Sequence, residues 1–170
     1  FAATVQRNGG DINKAIATFK PDADAVYDEV VTINLSELTP LTAKPHSPDN
    51  VAKVSEVGKI KVDQVFIGSC TNSSYEDLMK VAKILKGNKV HPDISLVIGP
   101  GSRQVMEMMA RNGALADIIS AGARILENGC GPCIGMGQSP GTDAISLRTV
   151  NRNFFIIFFP LVLKLLESYL

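Results

Sequence analysis

The sequence predicts an α/β fold, a mainly parallel sheet with helices on both faces in a three-layer arrangement. Short apolar runs at Gln64 to Ser69 and at Ile94 to Ile98 are typical of strands buried on both sides. Between them, apolar residues recur at helical spacing from Leu78 to Leu85, behind a predicted capping box of Ser73 and Glu76. Strands that alternate with helices predict parallel pairing.

Weaker patterns complete the predicted element order. The remaining elements are a helix at Asp11 to Phe19, a strand at Ala25 to Leu35, a helix from Ser102 to Gly113, a helix around Ile118 and a strand at Ile145 to Val150. Three prolines between Thr39 and Asn50 predict an extended connector, because proline restricts the backbone and lacks an N–H donor. The histidine within it, His46, is expected to be a surface or packing residue.

Three regions are predicted along the chain. Residues 1–50 form a partial preceding segment with the proline-rich connector, residues 51–153 form an incomplete α/β domain, and residues 154–170 form an apolar tail. The tail begins with ten apolar residues, too few to span a bilayer as a helix, so it predicts a buried segment or a non-native end, with a membrane anchor as the less favoured alternative. The absence of an initiating Met and of a signal-peptide pattern predicts a piece of a longer protein.

Charge and cysteine count narrow the class of partner. Lys plus Arg and Asp plus Glu balance at 17 each without blocks of like charge, which argues against nucleic acid; no membrane partner is expected either. A small molecule or another protein is favoured. Three cysteines are an odd number and exclude a complete disulfide framework, which favours a metal or redox role. We therefore expect a reducing compartment, the cytoplasm or alternatively the mitochondrial matrix.

The cysteines lie where ligands are expected. Cys70 directly follows a predicted strand, and Thr71 to Ser73 are predicted to open a helix whose positive end favours a thiolate. Cys130 and Cys133 form a C-x-x-C pair in the glycine-rich loop Gly129 to Gly137. This spacing alone leaves four interpretations open: a cluster with one unligated iron, a zinc site, a redox pair and buried apolar cysteines.

Residues around the cysteines carry a more specific signal. The segments IGSCTNSSYEDL (Ile67 to Leu78), GCGPCIGMG (Gly129 to Gly137) and NRNF (Asn151 to Phe154) resemble three signatures of the aconitase family, in the same order and at similar separations. The resemblance extends over about Tyr27 to Phe154. Within the family, the sequence looks closer to aconitase itself than to 3-isopropylmalate dehydratase or homoaconitase.

The resemblance implies a cofactor, a fold and site residues. It implies an aconitase iron-sulfur domain in which Cys70, Cys130 and Cys133 hold a [4Fe-4S] cluster. Asn151 would form a hydrogen bond beside the cluster and substrate, and Arg152 would pair with a substrate carboxylate, a role that suits its planar fork of donors. The implied reaction interconverts citrate and isocitrate through cis-aconitate in the tricarboxylic acid cycle, with the open iron as Lewis acid.

The chain also departs from the family pattern. After NRNF it continues into FIIFFP, where the family has a glycine and a second substrate-binding arginine. The other domains of the parent enzyme would supply the missing active-site groups, so the isolated chain is predicted to lack measurable aconitase activity. Two alternatives stay open: a 3-isopropylmalate dehydratase large subunit or homoaconitase, and a non-catalytic metal-binding module.

Overall fold

The computed structural model describes Val5, residues 8–45 and residues 47–150. The described part forms two compact units, one ending at Leu38 and the other beginning at Thr39. In the first unit, helix α1 spans Ile12–Thr18. The carboxylate of Asp11 accepts hydrogen bonds from two backbone N–H groups of its first turn, which confirms the helix predicted at this position.

The strand predicted at Ala25 to Leu35 is wrong. This segment is irregular and exposed up to a short 3-10 helix at Leu35–Glu37, with Val26, Val30 and Val31 all facing solvent. Among the described residues no strand pairs with it. β-branched residues favour an extended backbone, but a strand also needs a neighbour to satisfy its N–H and C=O groups.

A small hairpin opens the second unit. Strand β1 spans Leu41–Ala43 and pairs antiparallel with strand β2, Val51–Lys53, which leads into a 3-10 helix at Val54–Glu56. The extended connector predicted for Thr39 to Asn50 is therefore partly wrong. Its prolines flank β1 instead of interrupting it, so the strand keeps the N–H donors that the hairpin needs.

The main sheet has four parallel strands. They are β3 (Gln64–Gly68), β4 (Ser95–Gly99), β5 (Arg124–Ile125) and β6 (Ser146–Arg148). Their order across the sheet is β5-β4-β3-β6. Strand β3 is therefore an inner strand that pairs with both β4 and the last strand, β6. The predicted α/β class with a parallel sheet is confirmed, as are three of these strands; the two-residue β5 was not predicted.

Helices cover one face of this sheet. Helix α2 spans Tyr75–Leu85, α3 spans Arg103–Arg111 and α4 spans Ala114–Ser120. Their apolar sides join alternate strand residues in one core; its largest members are Val65, Ile67, Leu78, Leu85, Leu96, Ile98, Met109, Ile118 and Leu147. Alternation along a strand sends successive side chains to opposite faces, which explains why only every second strand residue belongs to this core.

The opposite face carries a smaller apolar cluster. Phe66, Val97 and Val150 are buried there, and Cys133 and Leu126 pack against them. Helices were predicted on both faces, but within the described ranges the residues that pack against this cluster are Ala43 of β1, Leu126 after β5 and Cys133 of the glycine-rich loop. That loop contains a four-residue 3-10 helix, because its glycines and proline do not support a longer helix.

The capping box of α2 lies one residue later than predicted. Ser74 is the N-cap, and its hydroxyl and backbone N–H exchange hydrogen bonds with the N–H and carboxylate of Asp77. The predicted pair, Ser73 and Glu76, does not form, because the buried Ser73 hydroxyl donates to the carbonyl of Ser69. Ser73 thus stabilises the turn before the helix, while Glu76 pairs with Lys80 on the surface.

This correction gives a testable difference between neighbouring residues. Ser74→Ala is expected to lower the free energy of unfolding by about 1 kcal/mol, because the Asp77 N–H loses its acceptor. Glu76→Gln should change it by less than about 0.5 kcal/mol, since an exposed ion pair contributes little. Urea unfolding followed by circular dichroism measures both. Equal losses would contradict the observed cap.

Some predictions fall on residues that the structure does not describe: His46, the predicted substrate residues Asn151 and Arg152, and the apolar tail at residues 154–170. Among the residues that it does describe, no helix combines the length and apolar character needed to cross a bilayer.

Candidate functional site

The candidate site lies at the carboxyl edge of the parallel sheet. Cys70 is the second residue after β3 ends at Gly68, and Cys130 and Cys133 follow β5 in the next long loop. Parallel strands end at the same edge, so both loops leave the sheet on the same side. This agrees with the position predicted for a ligand-binding loop.

The turn before Cys70 has an unusual backbone. Gly68 has a φ of 135° and Ser69 a φ of 75°, a region that a residue with a side chain rarely adopts. Ser69 is held there by two hydrogen bonds: its N–H donates to the Gly99 carbonyl (3.0 Å), and its own carbonyl accepts from the Ser73 hydroxyl. The left-handed residue turns the chain out of the sheet at Cys70.

Neighbouring loops hold this turn in place. The Gly68 N–H donates to the Thr149 hydroxyl (2.8 Å), and the Asn72 amide donates to the Thr149 carbonyl. On the other side, the Gly101 N–H donates to the Ser73 carbonyl (3.2 Å), an approach so close that a Cβ at position 101 would lie 2.7 Å from that oxygen. The segments after β3, β4 and β6 therefore form one hydrogen-bonded edge.

The C-x-x-C pair lies on a tight loop. A 3-10 helix spans Gly131–Ile134, within which the Cys133 N–H donates to the Cys130 carbonyl (3.1 Å). The Met136 N–H closes the loop by donating to the Gly131 carbonyl (2.8 Å). Cys130 is thus the N-cap of this short helix and Cys133 lies within it.

All three cysteines are free thiols. Cys70 and Cys130 are exposed and Cys133 is half-buried. Across the described ranges, no three Cys, His, Asp or Glu side chains lie close enough together to bind one metal ion. One supporting prediction is wrong: Thr71 to Ser73 are not helical, and α2 begins only at Tyr75, so its N-terminus does not immediately follow Cys70.

Arg148 is a site residue that sequence reasoning missed. It ends β6, opposite Phe66 of β3, and its side chain is only 1% exposed. One guanidinium nitrogen, Nη1, donates to the carbonyl of Pro132 between the two cysteines (3.0 Å). Burial lowers the pKa of Arg148, and a thiolate at Cys133 would act in the opposite direction. The one signal in the sequence was a charged residue inside a strand of a sheet that was predicted to be covered on both faces.

The two predicted substrate residues, Asn151 and Arg152, lie outside the described residues, immediately after Val150. Val150 itself is buried against Phe66, next to Thr149 and its bonds to the Cys70 turn. The roles of Asn151 and Arg152 stay predictions.

Comparison with known proteins defines the class. Residues 53–155 match the Aconitase family (aconitate hydratase), a segment that includes the whole parallel sheet and all three cysteines. This match covers more than half of the chain. The chain therefore belongs to the aconitase family.

Individual relatives point to particular members. The chain is 43% identical over 154 residues to a 3-isopropylmalate dehydratase large subunit of Moorella thermoacetica, covering 89% of this chain and 36% of that protein. It is 47% identical over 138 residues to a large subunit 1 of the same name from Methanopyrus kandleri, covering 79% and 32%. A homoaconitase large subunit of Thermus thermophilus is 49% identical over 137 residues, covering 79% and 32%.

These names change the preference within the family. The sequence analysis favoured aconitase itself, whereas the relatives carry the names of its two alternatives. They give no support to a place in the tricarboxylic acid cycle. The chain spans about a third of the length of these relatives.

The three thiols and a buried cation beside them have the chemistry that an iron-sulfur cluster requires. Three thiols stand on two loops of one sheet edge and none is in a disulfide. Beside Cys133, the Nη2 nitrogen of buried Arg148 has no hydrogen-bond partner among the described residues, so a positive group is left for an anion. A thiolate-bound cluster is such an anion.

Proposed function

We propose that this chain is the cluster-binding part of an aconitase-family hydro-lyase that dehydrates 3-isopropylmalate. The observation that carries the proposal is the family match over residues 53–155, because this segment contains every cysteine of the chain. The names of the most similar relatives support 3-isopropylmalate as substrate in preference to citrate.

Three cysteines would hold the cofactor. Cys70, Cys130 and Cys133 supply three thiolates, which suits a [4Fe-4S] cluster with one iron free of protein ligands. When bound, the cluster supplies a Lewis acid that polarises the hydroxyl group lost as water. Binding would draw the two cysteine loops together, as metal sites commonly complete local folding.

Other residues of the chain would bind and orient the substrate. We assign one substrate carboxylate to Arg152, whose planar fork can donate two parallel hydrogen bonds, and a further hydrogen bond to Asn151. The carboxylate shared by 3-isopropylmalate, homoaconitate and citrate cannot distinguish them. Discrimination therefore depends on the group that differs, an apolar branch in one and a carboxylate arm in the others.

The parent protein would contain further parts. The relatives are called large subunits, which supports a smaller partner chain, and they extend well beyond the matched segment, which supports additional domains. Three free cysteines suit a reducing compartment, so we assign the protein to the cytoplasm, with the mitochondrial matrix as alternative. The limits predicted for the cluster domain, residues 51–153, remain part of this proposal.

Substrate binding tests the proposal without requiring turnover. After anaerobic reconstitution, 3-isopropylmalate is expected to change the Mössbauer spectrum of one iron in the chain, with a Kd at least about tenfold lower than that of citrate, the range that one apolar branch supplies. Homoaconitate is titrated in parallel.

Each outcome of the titration has a distinct meaning. Tighter binding of homoaconitate would favour a homoaconitase, and tighter binding of citrate would contradict the proposed substrate. A bound cluster that responds to none of the three acids would favour the non-catalytic metal-binding module.

A further inference from the structure

Arg148 is a buried cation that the proposed chemistry does not use. Its side chain lies on the face of the sheet that carries the cysteine loop, where Phe66 and Val97 are its buried neighbours in β3 and β4. No Asp or Glu in the described part of the chain forms an ion pair with it. An arginine buried in an apolar cluster without a carboxylate is unfavourable unless other groups compensate its charge.

The contacts of Arg148 fix its direction. Its Nε donates to the Ser146 hydroxyl (3.2 Å), which in turn donates to the Gln64 side-chain oxygen (2.7 Å). These two hydrogen bonds hold the Nε end of the guanidinium group against the sheet. The guanidinium carbon lies 5.8 Å from the centroid of the Phe66 ring, within the range of a cation–π contact. Nη1 then reaches the Pro132 carbonyl. The arginine thus bridges the sheet and the peptide between Cys130 and Cys133.

One donor remains. Nη2 is buried and has no hydrogen-bond partner among the described residues, although such a group ordinarily costs free energy when unpaired. The other guanidinium nitrogen, Nη1, already contacts the Pro132 carbonyl between Cys130 and Cys133. The unpaired donor and the unbalanced positive charge are therefore both on the side of the C-x-x-C loop.

We propose that Arg148 is a positioning residue for the cluster: it fixes the Cys130–Cys133 loop to the sheet and supplies the positive charge that balances the bound thiolates. Holding the loop and balancing the charge depend on different chemical properties of the arginine side chain. The fork of donors holds the Pro132 carbonyl, which only an arginine can do while also bonding Ser146. The charge requires only a cation, so a lysine retains it. The second part rests on the proposed function, whereas the first does not.

Three variants of the full chain test these parts. Arg148→Met removes fork and charge, Arg148→Lys removes only the fork, and Arg111→Met is the matched control, since Arg111 pairs with Glu107 on its own helix α3. Amide hydrogen exchange of the metal-free chains reports on the loop through the N–H groups of Cys133 and Met136. Chelator titration of the reconstituted chains reports on cluster retention.

We expect loop exchange to accelerate about tenfold in both Arg148 variants, as loss of a charged hydrogen bond predicts, with the β4 amides and the Arg111→Met chain unchanged. The chelator concentration that removes half of the cluster should fall about tenfold in Arg148→Met, the usual effect of losing a partner around a metal site, and less in Arg148→Lys.

Unchanged loop exchange in both variants would overturn the positioning role. If the β4 amides also exchange faster in Arg148→Met, the whole sheet has been destabilised and this variant no longer reports on the loop alone. The Arg148→Lys chain then tests the positioning role, because it preserves the buried charge and most of the side-chain volume. Equal cluster retention in all chains would overturn the charge role. Failure of the unsubstituted chain to take up a cluster would count against the proposed function and against the charge role, while the exchange experiment still decides the loop.

Discussion

The Cys130→Ser chain is expected to retain about a tenth or less of the acid-labile sulfide that the unsubstituted chain binds after anaerobic reconstitution. Serine keeps the size of the side chain but its hydroxyl does not ionise as a thiol does, so one of three ligands is lost. Losing a partner outside the ligand shell already lowers metal affinity by about 10–100-fold, and losing a ligand should cost more. Sulfide and iron assays on the desalted chain measure the effect.

Glu127→Gln is the matched control for this substitution. Glu127 is exposed and lies three residues before Cys130, so its replacement changes the charge of the same loop without removing a thiol. Its sulfide content should equal that of the unsubstituted chain. Equal retention by the Cys130→Ser chain would remove Cys130 from the ligand set and with it the role assigned to the C-x-x-C pair.

Gly68→Ala should lower the free energy of unfolding by about 3 kcal/mol or more, a large loss for the addition of a single methyl group. A Cβ at this position would lie 2.1 Å from the Gly99 carbonyl oxygen, and the φ of 135° is strained for any side chain. Relief requires β3 and β4 to separate at the edge where the Ser69 N–H bonds Gly99. Urea unfolding measures the change.

Gly58→Ala separates the two causes. Gly58 has a φ of 75° but no atom within 4 Å of an added Cβ, so its substitution carries the backbone strain without the collision. We expect a loss of about 1–2 kcal/mol there. A similar loss at both positions would mean that the strands adjust without cost, and that the close approach of Gly68 to Gly99 does not hold the turn before Cys70.

Sequence reasoning worked best where one pattern was strong and local. Continuous apolar runs predicted β3 and β4, and the helical spacing of Leu78 and its neighbours predicted α2, because each pattern reports burial that the final fold also requires. The parallel arrangement followed from the alternation of these elements. The position of Cys70 at the sheet edge followed in turn.

Failures occurred where tertiary partners decided the outcome. The segment from Ala25 to Leu35 has the composition of a strand, yet composition cannot say whether a neighbouring strand exists in the described part. Ser73 and Ser74 are equally suitable caps by type. The choice between them depends on the Ser69 carbonyl, which captures the Ser73 hydroxyl only after the turn has formed.

The candidate site shows the same division. Its thiols were predicted from spacing and from the family resemblance, both readable in the sequence. Arg148 was missed, because its importance arises from the packing of β6 against β3 and from a contact across 16 residues to Pro132. No local pattern encodes such a contact.

The central claim is that this chain binds a [4Fe-4S] cluster through its three cysteines. It is tested most directly by iron and acid-labile sulfide per unsubstituted chain after anaerobic reconstitution, with zinc measured in the protein as purified. We predict about four irons and four sulfides per chain, as expected for one such cluster. Zinc without sulfide, or neither metal, would contradict the claim.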